Sequence, residues 1–372
     1  MRESLLRGNE AETVRDQFHR IAYGGPTRTK FNIRYREKPP EDSGPELVLD
    51  LKVDPDARPP SNIHALIGSN GVGKTRLLDS LARTVVSPKG RFSRSSLDDL
   101  AQQRQHPFAN LVQVSFSAFD PQEPLSGGKS VNYQYVGLKQ PDTPGIKTHA
   151  MLGREFSRSV TACQSGNPAQ AERWRHVLGR LEDTDPIFRD HRISTLAAWD
   201  FGDPVPSQLF ERLSSGHKIV LLTLVRLVEL LAERTLVLID EPEAHLHPPL
   251  LSTFIRVLSE LLIDRNGLAL IATHSPVVLQ ETPRATVWAL RRAGEDLRVS
   301  HPEIETFGEN VGVITREIFS LEVTRTGFHA MIDELAQRGY TYEEILDAFH
   351  GNLGAEGRAL ARSAARRQRN GG

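Results

Sequence analysis

The sequence predicts an α/β fold with a parallel-rich central sheet, and three observations carry that expectation. The octamer GSNGVGKT at 68–75 sits between a short apolar run, 64–67, and a helical stretch, 75–83. Two more compact apolar runs, 235–239 and 268–273, flank an apolar helical pattern at 250–263. Short apolar strands alternating with helices are buried on both faces, the pattern of a parallel sheet covered on two sides. Ligands of such sheets sit at the carboxyl ends of the strands, where the octamer lies. It fits G-x-x-x-x-G-K-[ST] at every fixed position, so the expected class is a P-loop NTPase.

The remaining elements follow in order. The first two dozen residues read as a polar helix, ended by Gly24, Gly25 and Pro26. Segments 31–35 and 46–52 alternate as strands around the turn-rich 39–45, and are expected to form an antiparallel N-terminal edge. The run 111–116 (LVQVSF) is the next strand. From about 120 to 208 the chain turns Gly-, Pro-, Ser- and Asp-rich, with helical pieces near 170–181 and 187–199. A strong apolar helix covers 215–232, and 285–291 with 297–301 reads as a hairpin around Gly294 and Glu295. Four segments result. They are 1–120, the first part of a nucleotide-binding head; 121–212, a mostly helical insertion; 213–301, the second part of the head; and 302–372, a helical tail.

Composition narrows the function. The chain has 372 residues and a formal net charge of −1. No global basic field is present, so nucleic-acid contact requires a local patch. The single cysteine, Cys163, excludes a disulfide within one chain and a cysteine zinc site. No apolar targeting core follows Met1. The most apolar stretch, 219–231, is interrupted by Arg226 and Glu229 and is too short to span a bilayer. A soluble, cytoplasmic protein without a membrane partner is expected.

The chemistry is carried by short motifs. Gly68, Ser69, Asn70, Gly71, Val72 and Gly73 would turn backbone N–H groups toward the phosphates of ATP. Lys74 reaches the β/γ oxygens, and the Thr75 hydroxyl is placed to ligate Mg2+. The run TLVLIDE at 235–241 is an apolar strand ending in two acids. Asp240 would hold the Mg2+ shell opposite Thr75, and Glu241 would orient or deprotonate the attacking water. A solvated turn is the plainer reading of the same residues. In LSSGHK, the residues Leu213, Ser214, Ser215 and Gly216 open the apolar helix, whose free N–H groups suit a phosphate. A plain N-cap by Ser214 or Ser215 is the alternative. In IATHSP, His274 follows a buried strand, and a surface histidine in a Ser-Pro turn is its plainer reading. In EAHLHP, His245 and His247 have metal-like spacing, but two histidines are too few ligands. Gln113 lies inside the strand 111–116, and Gln122 lies just after it.

The order of these motifs over 63–276 resembles the head of ABC-type ATPases. LSSGHK is similar to their LSGGQ signature, with Ser215 for the first glycine and His217 for the glutamine. That resemblance implies that the signature acts across a dimer, on nucleotide held by the partner's P-loop, and that His274 is the switch histidine contacting the γ-phosphate. It also implies a glutamine that senses Mg2+, for which Gln122 is better placed than Gln113. The segment after Glu241 resembles the D-loop. DEPEAHLHP joined to IATHSP looks like the ATPases grouped with OLD-type nucleases and bacterial defence systems. ETFGENV at 305–311, the stretch 314–319, Thr326–His329 and Leu353–Glu356 resemble the ATPase subunit of Septu-type anti-phage systems and its retron-linked relative. The resemblance implies a homodimer or higher homo-oligomer and an HNH-type nuclease encoded by an adjacent gene. Nucleic acid would be reached through that partner or through the basic tail. A RecF-like or SMC-like repair ATPase, an OLD-type nuclease relative and a transporter ATPase subunit share parts of the pattern. The long heptad arms of SMC-like proteins are absent, and no D-x-D cluster follows His274.

Overall fold

The computed structural model describes residues 28–39, 45–87, 94–100, 107–117, 123–125, 131–140, 145–198, 205–293, 296–323 and 327–370. The expected N-terminal helix, the Gly294–Glu295 turn and Gln122 lie outside the described residues. The chain divides into two compact units, one ending at Val311 and one beginning at Gly312.

The strands of the first unit, in chain order, are β1 (Phe31–Glu37), β2 (Leu47–Val53), β3 (Ile63–Ile67), β4 (Ser95–Asp99) and β5 (Asn110–Ser115). They continue as β6 (Asn132–Gly137), β7 (Thr235–Asp240), β8 (Leu268–Thr273), β9 (Val287–Ala293) and β10 (Asp296–Ser300). Seven form a sheet of order β10-β9-β3-β8-β7-β5-β6. All its pairings are parallel except β9 with the edge strand β10. The three central strands β3, β7 and β8 are buried along nearly their whole length, which is why they read as unbroken apolar runs rather than alternating ones.

The antiparallel N-terminal pair is present and forms a second sheet of order β2-β1-β4. Its alternating burial matches the alternation in sequence. Arg34 lies opposite Asp50 in the register and donates two hydrogen bonds to its carboxylate, at 2.6 and 2.8 Å. That guanidinium holds the Asp50 carboxyl below its usual range. The buried face of this sheet, Ile33, Tyr35, Leu49 and Leu51, shares one core with helix α1 (Lys74–Val86) and the main sheet. Leu77 and Leu81 of α1 are fully buried there. Each contributes roughly 1.5–3 kcal/mol relative to an exposed side chain, so α1, and the loop that opens it, are anchored between two sheets.

The insertion is built of α2 (His149–Ser165), α3 (Pro168–Thr184), the short α4 (Pro186–Asp190), a 3-10 turn at Ile193–Ala198 and α5 (Val205–Arg212). The expected single helix at 187–199 is split into α4 and the 3-10 turn, with Arg192 between them in a left-handed conformation (φ 47°). Helices α2 and α3 pack on α6 (Ser215–Leu230). Cys163 lies there, with Sγ 3.6 Å from the Val225 carbonyl, and burial pushes its thiol up to about 12. It is an inert core residue, not a nucleophile. The edge strand β6 was not foreseen within this segment, because NYQYVG has neither an apolar run nor clean alternation.

Helix α7 (Pro248–Ile263) connects β7 to β8. Its Ser259 exchanges two 2.8 Å hydrogen bonds with Asn62, just before β3, so this buried polar pair is satisfied. The short α8 (Pro276–Gln280) follows β8.

The second unit contains most of α9 (Val311–Val323), together with α10 (Gly327–Gln337), α11 (Tyr342–Ala348) and α12 (Ala355–Asn370). Ile332, Ala336, Ile345, Leu353, Ala361 and Ala364 form its own small core. Thr341 and Glu344 close a capping box at the start of α11.

Candidate functional site

The parallel register brings the ends of neighbouring strands level. Ile67 of β3 pairs with Thr273 of β8, Ala272 with Asp240 of β7, and Asp240 with Ser115 of β5. The glycine loop, His274 and Glu241 therefore leave adjacent strands at the same edge of the sheet.

The loop is shaped by its glycines. Gly71 has φ 76°, and Gly73, the N-cap of α1, has φ 116°. A side chain at Gly68 would place its Cβ 2.6 Å from the Leu290 carbonyl oxygen. Val72 is buried in the core and pins the loop from below, while Ser69 is half-buried and Asn70 exposed. Lys74 is 5% exposed, and its ammonium donates to the Gly68 carbonyl (2.9 Å) and the Ser69 carbonyl (3.2 Å). The first turn of α1 has no acid and no side-chain cap. A helix start with these properties attracts an anion.

Glu241 follows β7 in a left-handed backbone conformation (φ 46°, ψ 59°). Its N–H donates to the Ala272 carbonyl at 2.9 Å. A non-glycine residue held there stores roughly 1–3 kcal/mol, a condition that clusters at functional sites. Glu243 is a residue that sequence reading missed. Its Oε1 accepts from the Thr273 hydroxyl (2.7 Å) and the His274 N–H (2.6 Å) and lies 3.1 Å from His274 Nδ1. Glu241 Oε1 is 3.8 Å from the same nitrogen. The E-P-E spacing is the only signal that could have pointed to Glu243. Thr75 is half-buried in the first turn of α1, and Gln113 is held within β5 by the Tyr133 hydroxyl.

Leu213 is buried, and Ser214 caps α6. Ser215 is exposed. A Cβ on Gly216 would lie 2.5 Å from the His245 carbonyl oxygen, so only glycine lets the segment after β7 pack on this helix. His245 and His247 part company. The former lies 3.2 Å from the Phe116 carbonyl through Nε2. The latter joins Asp185 and His217, their ligand-type atoms lying within 4.8 Å of one another.

The residues fit a nucleoside triphosphate with Mg2+. A glycine cradle that a Cβ would fill, a buried ammonium along it and an acid-free helix start suit phosphate. Thr75 and Asp240 would hold Mg2+, which would supply neutralisation of phosphate charge.

A strand, glycine loop and helix of this geometry, beside a parallel strand ending in Asp240 and Glu241, define a P-loop NTPase fold. A family model described as "AAA domain, putative AbiEii toxin, Type IV TA system" matches residues 164–280, which span α6, Asp240 and His274. Over 389 aligned residues the chain is 37% identical to protein ea59 of Escherichia phage lambda, covering 97% of this chain and 73% of the relative. The chain belongs to the family of that phage protein. Among solved structures it is similar to UvrA2 from Deinococcus radiodurans (14% identity, 73% of this chain and 37% of that one, TM-score 0.37). It is also similar to an Smc head bound to the C-winged helix domain of ScpA (11% identity, 73% and 96%, TM-score 0.37).

Proposed function

We propose that the protein is an ATPase that binds and hydrolyses ATP at a head-to-head dimer interface and regulates a partner HNH-type nuclease in bacterial anti-phage defence. The observation that carries the ATPase reading is the level ending of β3, β8 and β7. It sets the phosphate loop, His274 and Glu241 side by side. Lys74 binds the phosphates, and Glu241 orients or deprotonates water. His274, braced by Glu243, faces the γ-phosphate. Leu213, Ser214, Ser215 and Gly216 complete the partner subunit's site in the dimer.

The nuclease partnership rests on the resemblance of ETFGENV and the later tail segments to Septu-type ATPase subunits. Among the described residues, no helix is long and apolar enough to cross a membrane. In the second unit, Tyr340, Tyr342, Arg362 and Arg366 line one cleft, with Arg362 stacked 4.9 Å over the Tyr342 ring. Exposed tyrosine beside arginine suits nucleic acid reached through the tail.

The test is reconstitution. Purified protein alone is expected to hydrolyse ATP and cut no DNA. Adding the product of the adjacent gene is expected to give nucleic-acid cleavage that responds to ATP and changes in Glu241→Gln. Metal-dependent cleavage by this chain alone, surviving Lys74→Ala, would move the assignment to an OLD-type nuclease.

A further inference from the structure

At the mouth of α6 Ser214 and His217 form one hydrogen-bonded row with Asp185, which lies far from them in the chain. Ser214 is exposed, and its Oγ lies 2.6 Å from His217 Nδ1. His217 is 2% exposed, and its Nε2 lies 3.2 Å from Asp185 Oδ1. The same Asp185 oxygen accepts the N–H groups of Ile187 and Phe188 at the start of α4. The Phe188 ring packs edge-on against the imidazole, at 4.8 Å between centroids.

Donor and acceptor accounting sets the direction of this row. A carboxylate only accepts, so the proton of the neutral imidazole sits on Nε2 and faces Asp185. Nδ1 then carries a lone pair, and the Ser214 hydroxyl donates to it. In that arrangement Ser214 presents only lone pairs outward. A phosphate oxygen also carries only lone pairs, so the two repel. A proton on Nδ1 reverses the last bond. Nδ1–H then donates to Ser214 Oγ, the hydroxyl proton is released to point outward, and Asp185 balances the imidazolium charge.

We propose that Asp185 and His217 are positioning residues that aim the Ser214 hydroxyl, and that docking of a phosphate at Ser214 is accompanied by uptake of one proton from solvent onto His217. This rests on the reading of α6 as the phosphate-facing signature helix of an ATPase dimer. No covalent bond changes, and the proton returns to solvent when the phosphate leaves. Asp185, from the α3–α4 link, and His247, at the start of α7 with its ring 5.9 Å away, are the titratable groups that face His217. Lys218, on α6 itself, is directed over the Phe210 ring instead. A metal could use Asp185, His217 and His247. The hydrogen bonds favour the relay, because both His217 nitrogens and Asp185 Oδ1 are engaged and His247 Nδ1 accepts from the Leu250 N–H at 3.4 Å.

The test uses the full chain carrying Glu241→Gln, so that ATP binds without turnover. Calorimetry of ATP binding in two buffers of different ionisation heat reads the protons taken up. About one proton per site is expected. Adding His217→Gln is expected to remove that uptake, because the amide N–H faces the Asp185 carboxylate and the amide oxygen accepts the Ser214 hydroxyl at every pH. In the otherwise native chain, His217→Gln is expected to lower kcat at least 10-fold with KM little changed, because it holds the Ser214 hydroxyl inward. Asp185→Asn keeps the cap on α4 and is expected to reduce proton uptake. Unchanged uptake in His217→Gln overturns the relay, as does one zinc per chain that is lost in His247→Ala. The reading beneath fails separately. If Ser214→Arg leaves turnover and assembly untouched, α6 is not a phosphate-facing helix.

Discussion

The Glu243 carboxylate holds His274 from two sides, accepting its backbone N–H at 2.6 Å and lying 3.1 Å from its Nδ1. The Glu243 side chain is 8% exposed and the His274 side chain 44%. A buried acid thus fixes an accessible imidazole beside Glu241. Hydrogen bonds to charged groups are worth about 1.5–3 kcal/mol, and about 1.4 kcal/mol is a factor of ten in rate. Glu243→Ala is therefore expected to lower kcat about 10- to 100-fold while nucleotide affinity changes little. Steady-state ATPase kinetics with a separate binding titration check this. A matching loss of affinity would place Glu243 in the binding site instead.

Lys74 and Glu241 should separate binding from turnover. Lys74→Ala removes the buried cation of the loop and is expected to abolish nucleotide binding. Glu241→Gln leaves Asp240 and Thr75 in place, so binding persists while turnover drops about 100-fold or more, the scale of general acid–base contributions. Fluorescent-nucleotide titration and phosphate release on both variants decide the point. Equal loss of binding would remove the role given to Glu241.

Two glycines of the loop should fail for different reasons. At Gly68 a Cβ meets the Leu290 carbonyl at 2.6 Å, so Gly68→Ala must push β3 and β9 apart. An overpacking cost of about 1–3 kcal/mol is expected, visible in urea unfolding even without nucleotide. At Gly71 nothing lies within 4 Å, but φ is +76°. Gly71→Ala is expected to cost about 1–2 kcal/mol of backbone strain and to show mainly as weaker nucleotide binding.

Acid should weaken the sheet through His64. This β3 residue is fully buried, and burial pushes its imidazole down to about 4. Trp288 Nε1–H donates to its Nδ1 at 3.2 Å, which leaves the Nε2 proton for the Lys52 carbonyl at 3.1 Å. A histidine depressed in the folded state takes up its proton first in the unfolded chain. The contribution is complete above pH 6.5 and is lost as pH falls toward 4. The span from 6.5 to about 4 corresponds to about 3 kcal/mol at 1.36 kcal/mol per unit. Urea midpoints between pH 7.5 and 4.5 should fall, and fall less in His64→Gln. Parallel curves for the two proteins would exclude His64 as the source.

Much of the frame was legible in the chain. GSNGVGKT is contiguous, and each of its fixed residues acts locally, by supplying a φ above zero, a close backbone approach or a cation within reach. The strands β3, β7 and β8 are buried on both faces, so their apolar runs stand out. β6 was missed because an edge strand needs no such run. β4 (SSLDD) was missed because its pairing with β1, not its own side chains, makes it a strand.

What the sequence by itself determined is therefore the phosphate loop, the acid-ended strand and the class of fold, all encoded within a few consecutive residues. Tertiary structure alone decided that Glu243 braces His274, that His245 and His247 separate, and that Asp185 meets His217 across 32 positions. Those contacts depend on how helices of the insertion and ends of the sheet pack together. The free energy that selects them is spread over the cores of Phe188, Leu221 and their neighbours, and no local spacing in one chain records it.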